Sequence, residues 1–531
     1  YICSMESYCI SYKDIDFLSK LMSDYLDNNS TLQSLYGQSA SLSGFKKNIE
    51  KRQFSQDKRT VLAAALEKQY EGVANAELQL NAISALKQST TFTVTTGHQL
   101  CLGTGPLYFI YKILSVVKLS RQLKKEFPEN EFVPIYWMAT EDHDFLEINH
   151  FNTSNKRYEW EGVNDYAVGW KQPEITELIA ELEVDIEKST SGKKWIELIK
   201  EAYSKKDLAS ATRNLVHNLL GKYGVLVIDG DATQLKQIFA PYVIQEIDEQ
   251  ISFNSVGETI QQLNHIGHKE QVTPRDINLF YLSKTSRIRI TKVEEAFELA
   301  DGSKNWTKDE LIKEAAAAPE LFSPNVLLRP LYQETILPNL SYTGGAGEMS
   351  YWFELKSMFE KFEVDFPILL LRNSAVIVSE RDTERLSKLK LNWTDMFKSE
   401  ISLEKQLVEI HGNTNLNLDE YRSKIESIFL ELKALAGSVD KTLEPSSEVS
   451  KTRSLRAIDR LEKKLIRGEK LNLETDLEMM YRVKSALFPK GNFQERYYNI
   501  AQFYPKTGDA LFDKLLEVFE PLHPDITLIE L

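Results

Sequence analysis

The segment from Thr90 to Ala139 constrains the fold of this 531-residue chain more than any other. It holds two apolar and β-branched runs, T-T-F-T-V-T-T and F-V-P-I-Y-W-M-A, separated by a glycine-rich turn and an apolar stretch of helical spacing. Strands that are apolar on both faces are typical of parallel sheets covered by helices, so the order predicts a βαβ crossover. Similar runs at Tyr223–Asp231 and near Phe366 extend this to a doubly wound α/β core.

The composition along the chain predicts four parts. Residues 1–89 are expected to form a helical region that packs on the core, and residues 90–380 the core, with insertions at about 151–220 and 251–330. Charged helices follow at 381–485, and residues 486–531 are expected to return to the core. Within the charged part, the apolar three-four spacing from Leu418 to Val439 favours a coiled coil, as an antiparallel hairpin or a dimer arm. A solvated helical bundle is the alternative.

The overall charge argues against nucleic-acid and membrane partners. The chain carries 64 Lys and Arg against 78 Asp and Glu, a net charge of -14, which repels phosphate backbones and anionic lipid. No apolar run is long enough to span a bilayer. Three cysteines without a C-x-x-C pair fit a reducing compartment, so we expect a cytoplasmic protein with neither a disulfide scaffold nor a structural metal.

The glycine-rich turn T-G-H-Q-L-C-L-G-T-G-P, Thr96 to Pro106, lies where ligands bind in a doubly wound sheet. Its Gly97, Gly103, Thr104 and Gly105 would let backbone N–H groups approach a phosphate at the helix N-terminus. His98 could donate to a phosphate or to a developing oxyanion. The spacing matches neither dinucleotide nor P-loop signatures, so a tight turn with a capping or core-edge histidine is the alternative.

A second candidate segment is A-T-E-D-H-D-F-L-E-I-N-H, Ala139 to His150, which follows the second strand. It concentrates acid, base and potential metal groups, and a helix beginning at Asp144 would place Glu147 and His150 on one face. No second Glu-x-x-His copy or further zinc ligand is evident, so no metal site is predicted. Substrate binding by the carboxylates is favoured, with helix capping and solvated charges as the alternative.

A third candidate segment, the glycine-rich turn S-Y-T-G-G-A-G-E-M-S-Y-W, runs from Ser341 to Trp352. Its glycines predict a close backbone approach to a ligand or to another strand, and a structural turn before a helix is the alternative. Arg372, at the end of a later strand, is a candidate partner for an anion, although a lone arginine is more often part of a surface ion pair.

These segments, in this order, resemble the cysteine-adding enzymes of bacillithiol biosynthesis, the cysteine ligase BshC family. The resemblance rests on five stretches: T-G-H-Q-L-C-L-G-T-G-P-L-Y at Thr96–Tyr108, P-I-Y-W-M-A-T-E-D-H-D-F-L-E-I-N-H at Pro134–His150, R-P-L-Y-Q-E-T-I-L-P-N-L at Arg329–Leu340, G-A-G-E-M-S-Y-W at Gly345–Trp352, and L-F-P-K-G-N-F-Q-E-R at Leu487–Arg496.

The resemblance implies a Rossmann-like core similar to class I aminoacyl-tRNA synthetases, with connecting-peptide insertions and a coiled-coil arm that forms a homodimer. It implies a carbon-nitrogen ligase that joins the carboxylate of cysteine to the amine of glucosaminyl malate in the last step of bacillithiol biosynthesis. ATP with Mg²⁺ is expected by analogy as the source of activation. The chain departs from the class I pattern, because H-I-G-H is absent and L-S-K-T-S near Lys284 is only a faint echo of K-M-S-K-S.

The motifs and the resemblance together imply roles for individual residues. The catalytic candidates are His98, Asp142 and His143, of which Asp142 or His143 could act as the base or orient the sugar. The substrate-binding candidates are Gln99, Asp144, Asn149, Tyr351, Trp352 and Arg372. The candidates for binding nucleotide phosphates are Gly97, Gly103, Thr104, Gly105, Gly344, Gly345, Gly347 and Glu348.

Three rival functions stay open from the sequence. One is a nucleotide-binding scaffold without catalysis, which would bind ligands without turnover. Another is a metal-dependent amide or sugar hydrolase that uses the cluster from Glu141 to His150, and it predicts sensitivity to chelators. The third is a synthetase acting on tRNA, against which the net charge of -14 and the lack of a basic arm argue.

Overall fold

The computed structural model describes residues 6–186, 188–412 and 418–531. The strands are β1 (Ser7–Ile10), β2 (Thr91–His98), β3 (Glu131–Met138), β4 (His150–Asn152), β5 (Arg157–Glu159), β6 (Leu226–Asp229), β7 (Leu279–Leu282), β8 (Arg287–Val293), β9 (Ala296–Leu299), β10 (Asn305–Thr307), β11 (Phe322–Pro324), β12 (Asn339–Gly344), β13 (Ile368–Leu371), β14 (Ser374–Val378) and β15 (Ile526–Glu530).

The α-helices are α1 (Lys20–Leu26), α2 (Leu42–Lys51), α3 (Gln56–Gln69), α4 (Glu77–Leu86), α5 (Tyr108–Glu126), α6 (Phe145–Ile148), α7 (Thr176–Ile186), α8 (Thr190–Tyr203), α9 (Leu208–Leu220), α10 (Thr233–Glu249), α11 (Ile251–His265), α12 (Lys308–Ala317), α13 (Leu328–Ile336), α14 (Ala346–Trp352), α15 (Lys356–Lys361), α16 (Glu380–Leu389), α17 (Glu400–His411), α18 (Asp419–Val439), α19 (Glu444–Asn472), α20 (Glu474–Leu487), α21 (Gln494–Tyr497), α22 (Tyr504–Thr507) and α23 (Ala510–Val518).

The central sheet has five parallel strands in the order β13-β12-β2-β3-β6. The chain lays down β2, β3 and β6 in one direction and then returns to place β12 and β13 on the other side of β2. This reversal confirms the predicted doubly wound core. It also creates a crevice between β2 and β12 at the carboxyl ends of the strands, the position where such sheets bind ligands.

Both faces of the central sheet are covered, as the continuous apolar runs predict. In β3, Ile135 and Trp137 pack into one core cluster, whereas Tyr136 and Met138 pack into a second cluster on the opposite face. The crossover helix α5 is buried on nearly all sides, in agreement with its apolar sequence. It connects β2 to β3 and therefore places the turn after β2 at the crevice.

Two insertions interrupt the central sheet. The hairpin β4–β5 and helices α7, α8 and α9 lie between β3 and β6. Helices α10 and α11 and an antiparallel sheet, ordered β10-β9-β8-β7-β11, lie between β6 and β12. In this sheet β7 and β8 pair antiparallel as a hairpin within the predicted insertion at about 251–330.

The two ends of the chain meet in a third sheet. Strand β1 pairs antiparallel with β15, which also pairs parallel with β14. The N-terminal region therefore contributes a strand as well as the expected helices. The C-terminal strand returns the chain to the core after the coiled coil, and this return places α21 against β14.

Helices α18 and α19 form an antiparallel hairpin, one of the two arrangements predicted for this part. Arg422 pairs with Asp459 at 3.0 Å and with Glu462 at 2.6 Å, and Lys433 pairs with Glu448 at 3.1 Å. These pairs define the side of α18 that faces α19.

Most of the predicted seam from Leu418 to Val439 is not covered by α19, although Ile425 is partly buried. Side chains of the seam are instead largely exposed: Tyr421 56%, Ile428 54%, Leu432 43%, Leu435 62% and Val439 74%. Heptad spacing predicts that a helix carries an apolar stripe, but it does not predict which surface covers that stripe.

Candidate active site

A cavity of about 650 Å³ opens at the carboxyl edge of the central sheet, at the reversal between β2 and β12. The insertion strands β7 and β8 contribute to its wall from above that edge. The sequence-predicted residues that line it are Gly97, His98, Gln99, Asp142, Gly345, Gly347, Glu348, Tyr351 and Arg372. The turn after β2, the segment after β3 and the turn after β12 therefore meet at one site.

Cationic side chains dominate this wall although the chain as a whole is acidic. They are Lys112, Arg275, Arg287, Arg289, Arg329, Arg372 and Arg496. Of these, only Arg372 was predicted from the sequence as a site residue. Guanidinium groups bind carboxylates and phosphates with matched geometry, so the cavity is suited to anionic groups.

His98 ends β2 and is one of the residues that line the cavity. Its Nδ1 accepts a hydrogen bond from the Gln99 N–H at 2.7 Å, which places the ring proton on Nε2. Among the described residues this buried Nε2 has no hydrogen-bond partner. Burial, reinforced by the charge of Lys112, lowers the pKa of His98 to about 3. The imidazole is therefore neutral at physiological pH and offers Nε2–H as a donor.

Lys112 and Glu348 form an ion pair in the cavity wall, in which the lysine is buried and the glutamate is partly exposed. The Lys112 ammonium, only 2% exposed, donates to the Gly97 carbonyl and to Glu348 Oε1 and Oε2 at 2.8 and 2.7 Å. Tyr342 O–H and Gly345 N–H also donate to the Glu348 carboxylate, at 3.0 and 2.9 Å. Burial alone would raise the pKa of Glu348, but Lys112 and these donors outweigh it and lower the pKa to about 2. Glu348 is thus a fixed anion that ties the turns after β2 and β12 together.

Asp142 is also held as a fixed anion. Its Oδ1 accepts from the His143 N–H and its Oδ2 accepts from Gln99 Nε2, both at 2.8 Å. Burial opposes ionisation, but the hydrogen bonds from His143 and Gln99 and the nearby charge of Arg287 lower the pKa of Asp142. With both oxygens engaged, this carboxylate is better suited to positioning than to accepting a proton.

Several sequence-predicted residues lie outside the cavity wall. His143 contacts it indirectly, with Nδ1 at 3.1 Å from Arg287 Nη1. Asp144 accepts from Asn164 Nδ2 at 3.2 Å, and Asn149 is buried and donates to the Trp160 carbonyl at 2.8 Å. Trp352 is fully buried and stacks on Tyr342 with ring centroids 4.5 Å apart. The other predicted residues outside the wall are Gly103, Thr104, Gly105 and Gly344.

The second half of the glycine-rich turn packs within the protein rather than against the cavity. Gly103 and Gly105 have φ values of 56° and 64°, in the left-handed region that favours glycine. A Cβ on Gly105 would lie 2.6 Å from Cys101 Cβ, and the Gly103 carbonyl accepts from Asn499 Nδ2 at 2.8 Å. Gly103 and Gly105 therefore allow close packing inside the protein. Of the glycines in this turn, Gly97 is the one that lines the cavity.

The expectation that Glu147 and His150 share a helical face is wrong. Helix α6 ends at Ile148 and His150 begins β4, because the chain turns into the hairpin β4–β5. Glu147 instead accepts from Gln99 Nε2 at 2.8 Å. Within residues 6–186, 188–412 and 418–531, no group of three or more His, Cys, Asp or Glu side chains is arranged to hold a metal ion.

An acidic group lies at the ends of β3 and β6, and of its members only Glu141 was among the residues considered from the sequence. Glu141 and Asp231 line the cavity, and Asp229 lies beside them. The buried Lys236 pairs with Glu141 and lies 4.0 Å from Asp231 Oδ1. Burial, followed by the charge of Glu141, raises the pKa of Asp231 to about 8. Asp231 could have been predicted from the sequence, because it directly follows an apolar strand in V-L-V-I-D-G-D.

Comparison with known proteins identifies the family. The model described as "Bacillithiol biosynthesis BshC, N-terminal Rossmann-like domain" matches residues 5–373, and the BshC "C-terminal coiled-coil domain" matches residues 375–531. The chain belongs to the BshC family. Both the Rossmann-like core and the coiled-coil arm predicted from the sequence are thereby confirmed.

Relatives of similar length carry the name of the same family. A Flavobacterium johnsoniae protein named "Putative cysteine ligase BshC" is 37% identical over 529 residues, covering 99% of this chain and 100% of that protein. Its namesake from Flavobacterium psychrophilum is 38% identical over 532 residues with the same coverage. The prediction of a ligase is confirmed at the level of the BshC family.

A solved structure described as "putative arginyl T-RNA synthetase" from Campylobacter jejuni covers 86% of this chain and 98% of its own, with 11% identity and a TM-score of 0.21, too low to bear on the fold. Along the described part of this BshC chain, no helix combines the length and the apolar character needed to cross a membrane.

Proposed function

We propose that this BshC protein joins the carboxylate of cysteine to the amine of glucosaminyl malate, the last step of bacillithiol biosynthesis, after activation of the cysteine carboxylate by ATP with Mg²⁺. The observation that carries the proposal is the cavity wall at the strand reversal. Six arginines, one lysine and the unpaired Nε2–H of His98 converge there, in a chain whose relatives are named cysteine ligases.

The residues of the cavity fit a nucleotide phosphate. His98 Nε2–H is a neutral donor without a partner among the described residues, and Arg372 Nε is likewise buried and unpaired there. Both lie near the turns after β2 and β12, where the backbone approaches the cavity at Gly97 and Gly345. ATP would supply a leaving group on the cysteine carboxylate, and Mg²⁺ would be carried by its phosphates, since the described residues show no metal-binding group of their own.

The remaining arginines fit the acceptor. Glucosaminyl malate carries two carboxylates, and Arg275, Arg287 and Arg289 enter the cavity from the insertion. Arg287 is held by stacking on Phe280, with the guanidinium carbon 3.8 Å from the ring centroid, and by donating to the Pro324 carbonyl at 3.1 Å. A rigid guanidinium of this kind suits bidentate carboxylate binding.

Fixed charges would stabilise the amide-forming step. The tetrahedral carbon and the departing phosphate both concentrate negative charge, which preorganised donors in a water-poor cavity stabilise strongly. His98 and the arginines supply such donors, and the Lys112–Glu348 pair holds the two turns in register. The rival hydrolase gains no support from the described residues, which lack a metal-binding group at the Glu141–His150 segment.

The test is mass spectrometry of the purified protein with cysteine and glucosaminyl malate, with and without ATP and Mg²⁺, while pyrophosphate is measured in parallel. The expected result is a condensed product with pyrophosphate release only when ATP is present. The matched pair of variants is His98→Ala, inside the wall, and His150→Ala, outside it. Binding of both substrates without product under any condition would contradict the proposal.

We further propose that the hairpin of α18 and α19 joins two copies of the chain. The exposed stripe on α18 supports this, because apolar side chains such as Ile428 and Leu435 recur along it without a partner in the described part of the chain. A second copy of the hairpin presents the same stripe and would cover it by a self-complementary contact.

A further inference from the structure

The four carboxyl groups that line the cavity are not held alike. Glu348 is paired with Lys112, Glu141 is paired with Lys236, and Asp142 accepts hydrogen bonds at both oxygens. Asp231 differs from them. Its Oδ2 accepts from Trp170 Nε1 at 2.6 Å, but its Oδ1 has no hydrogen-bond donor among the described residues, and Lys236 Nζ is 4.0 Å away. One carboxylate oxygen of Asp231 is therefore open to the cavity.

The charges around Asp231 leave room for one more cation. When all of them are ionised, the carboxyl groups that interact there outnumber the cations by one: Glu141, Asp142, Asp229 and Asp231 against Lys236, Arg213 and Arg287. The other titratable neighbour, Tyr332, is neutral and donates its O–H to the Gly230 carbonyl at 2.5 Å. A substrate ammonium group would balance the excess carboxylate.

The position of Asp231 separates it from the phosphate-binding side of the cavity. It follows β6, which lies two strands from β2 and His98 in the order β2-β3-β6. Adjacent strands are about 4.8 Å apart, so the two ends of the cavity are roughly 10 Å apart. An activated carbonyl above the end of β3 would then have a phosphate donor on one side and a carboxylate on the other.

We propose that Asp231 is the general base that takes the proton from the ammonium group of the acceptor, with Glu141 forming the opposite side of the ammonium pocket. This inference rests on the proposed function. Of the other titratable cavity groups, Asp142 and Glu348 are fixed anions, and His98 uses Nδ1 as an acceptor toward Gln99 and holds its proton on Nε2.

In the proposed step the acceptor amine attacks an acyl group that ATP has activated. The ammonium R–NH₃⁺ gives one proton to the Asp231 carboxylate, which leaves R–NH₂ and a neutral carboxylic acid. The amine lone pair forms the new N–C bond, the bond from the acyl carbon to the phosphate oxygen breaks, and its electron pair leaves with the phosphate. The second amine proton passes to solvent. Only the ionised form of Asp231 can accept this proton, and because burial raises the pKa of this carboxyl, the ionised fraction grows as the pH rises toward 8.

The test separates acyl activation from amine attack. Asp231→Asn and the matched variant Asp248→Asn, at an exposed position of α10, are assayed for cysteine-dependent pyrophosphate exchange into ATP, for cysteinyl hydroxamate formation with hydroxylamine, and for ligation to the sugar amine. Hydroxylamine is unprotonated at neutral pH and needs no base. We expect D231N to lose ligation about 100-fold while exchange and hydroxamate formation stay within about twofold of wild type.

The pH profile adds a readout that a structural role would not move. Wild-type ligation should rise with pH up to about 8, and D231N should lose this rise. Ligation by D231N at the wild-type rate, or an equal loss of all three activities, would overturn the role of Asp231 as the base but not the proposed function. A wild-type protein that forms no condensed product would overturn the proposed function and this inference with it.

Discussion

Arg372 and Glu495 form a bidentate ion pair in the interior, with Nη1 to Oε2 at 2.9 Å and Nη2 to Oε1 at 2.5 Å. Their side chains are 5% and 2% exposed, and Ser374 Oγ also donates to Glu495. The pair joins the end of β13 to α21, the short helix that follows the coiled coil and carries Arg496 into the cavity wall. The segment after the coiled coil therefore completes the candidate active site.

Replacing Glu495 should destabilise the protein strongly. Glu495→Gln leaves the buried Arg372 guanidinium without its counter-ion, and losing one partner of a buried pair costs about 3–5 kcal/mol of unfolding free energy. Urea denaturation measures this cost. The control is Glu420→Gln, which breaks the exposed pair with Lys424 and should cost less than about 0.5 kcal/mol. Similar losses in the two variants would contradict the structural role of the buried pair.

The sequence predicts the central sheet well because a parallel strand covered on both faces needs a continuous apolar run. The turns that end β2 and β12 are also predictable, since the carboxyl ends of parallel strands meet at one edge. The arginines of the insertion could not be predicted. Arg287 and Arg289 alternate with isoleucines in β8, a pattern typical of a solvated strand, and only the packing of this hairpin over the sheet edge brings them to the cavity.

The partners of individual side chains also could not be predicted from the sequence. Lys112 lies in an apolar helix with no acidic residue at helical spacing, and its partner Glu348 is 236 residues away. The role of Gly105 was also unpredictable, because its positive φ and its approach to Cys101 depend on how the turn folds under α5. Long-range packing decides both.

His98 should contribute to nucleotide affinity in a way that does not depend on pH. His98→Ala removes one neutral donor to a charged phosphate, which corresponds to about 1.5–3 kcal/mol, or roughly a 10- to 100-fold weaker Kd for ATP. Because burial lowers the pKa of His98 to about 3, the ratio of wild-type to H98A affinity should be constant from about pH 5.5 to 8.5. Isothermal titration calorimetry measures the two affinities. Protonation of ATP itself affects both proteins equally and therefore cancels in their ratio.

His150→Ala is the control for this experiment, because His150 lies outside the cavity wall and should leave ATP affinity unchanged. A ratio that increases steeply as the pH falls below about 6.5 would show that the imidazole becomes charged. That result would contradict the neutral donor assigned to His98.

The buried carboxyl of Glu246 should make the protein less stable as the pH rises toward neutrality. Burial raises the pKa of Glu246 to about 7 in spite of hydrogen bonds from Ser252, whereas an exposed glutamate titrates near 4.5. The folded state therefore binds this proton more tightly than the unfolded state, and stability decreases between about pH 4.5 and 7. For this one group the decrease is roughly 3 kcal/mol in unfolding free energy.

Glu246→Gln should flatten this decrease without abolishing it. Burial also raises the pKa of Glu354 to about 7, and that group keeps its own contribution in the variant. Urea denaturation at pH 5 and pH 8 gives the two slopes, and Glu420→Gln, on the exposed face of α18, should leave the wild-type slope unchanged. Identical pH dependence in E246Q and wild type would show that Glu246 titrates normally.

Charge on the exposed stripe of α18 should separate a dimer into monomers. Ile428→Glu with Leu435→Glu places charge on two side chains that are 54% and 62% exposed, whereas Ser423→Glu with Ser427→Glu places the same charge at exposed polar positions of α18. Burying an unpaired carboxylate in an interface is costly, so only the first pair should shift the mass by light scattering from dimer to monomer. The α18–α19 contact is kept through Arg422 and Lys433, so unfolding of the core should be unchanged. A monomeric wild type, or a dimeric I428E/L435E variant, would contradict association through this stripe.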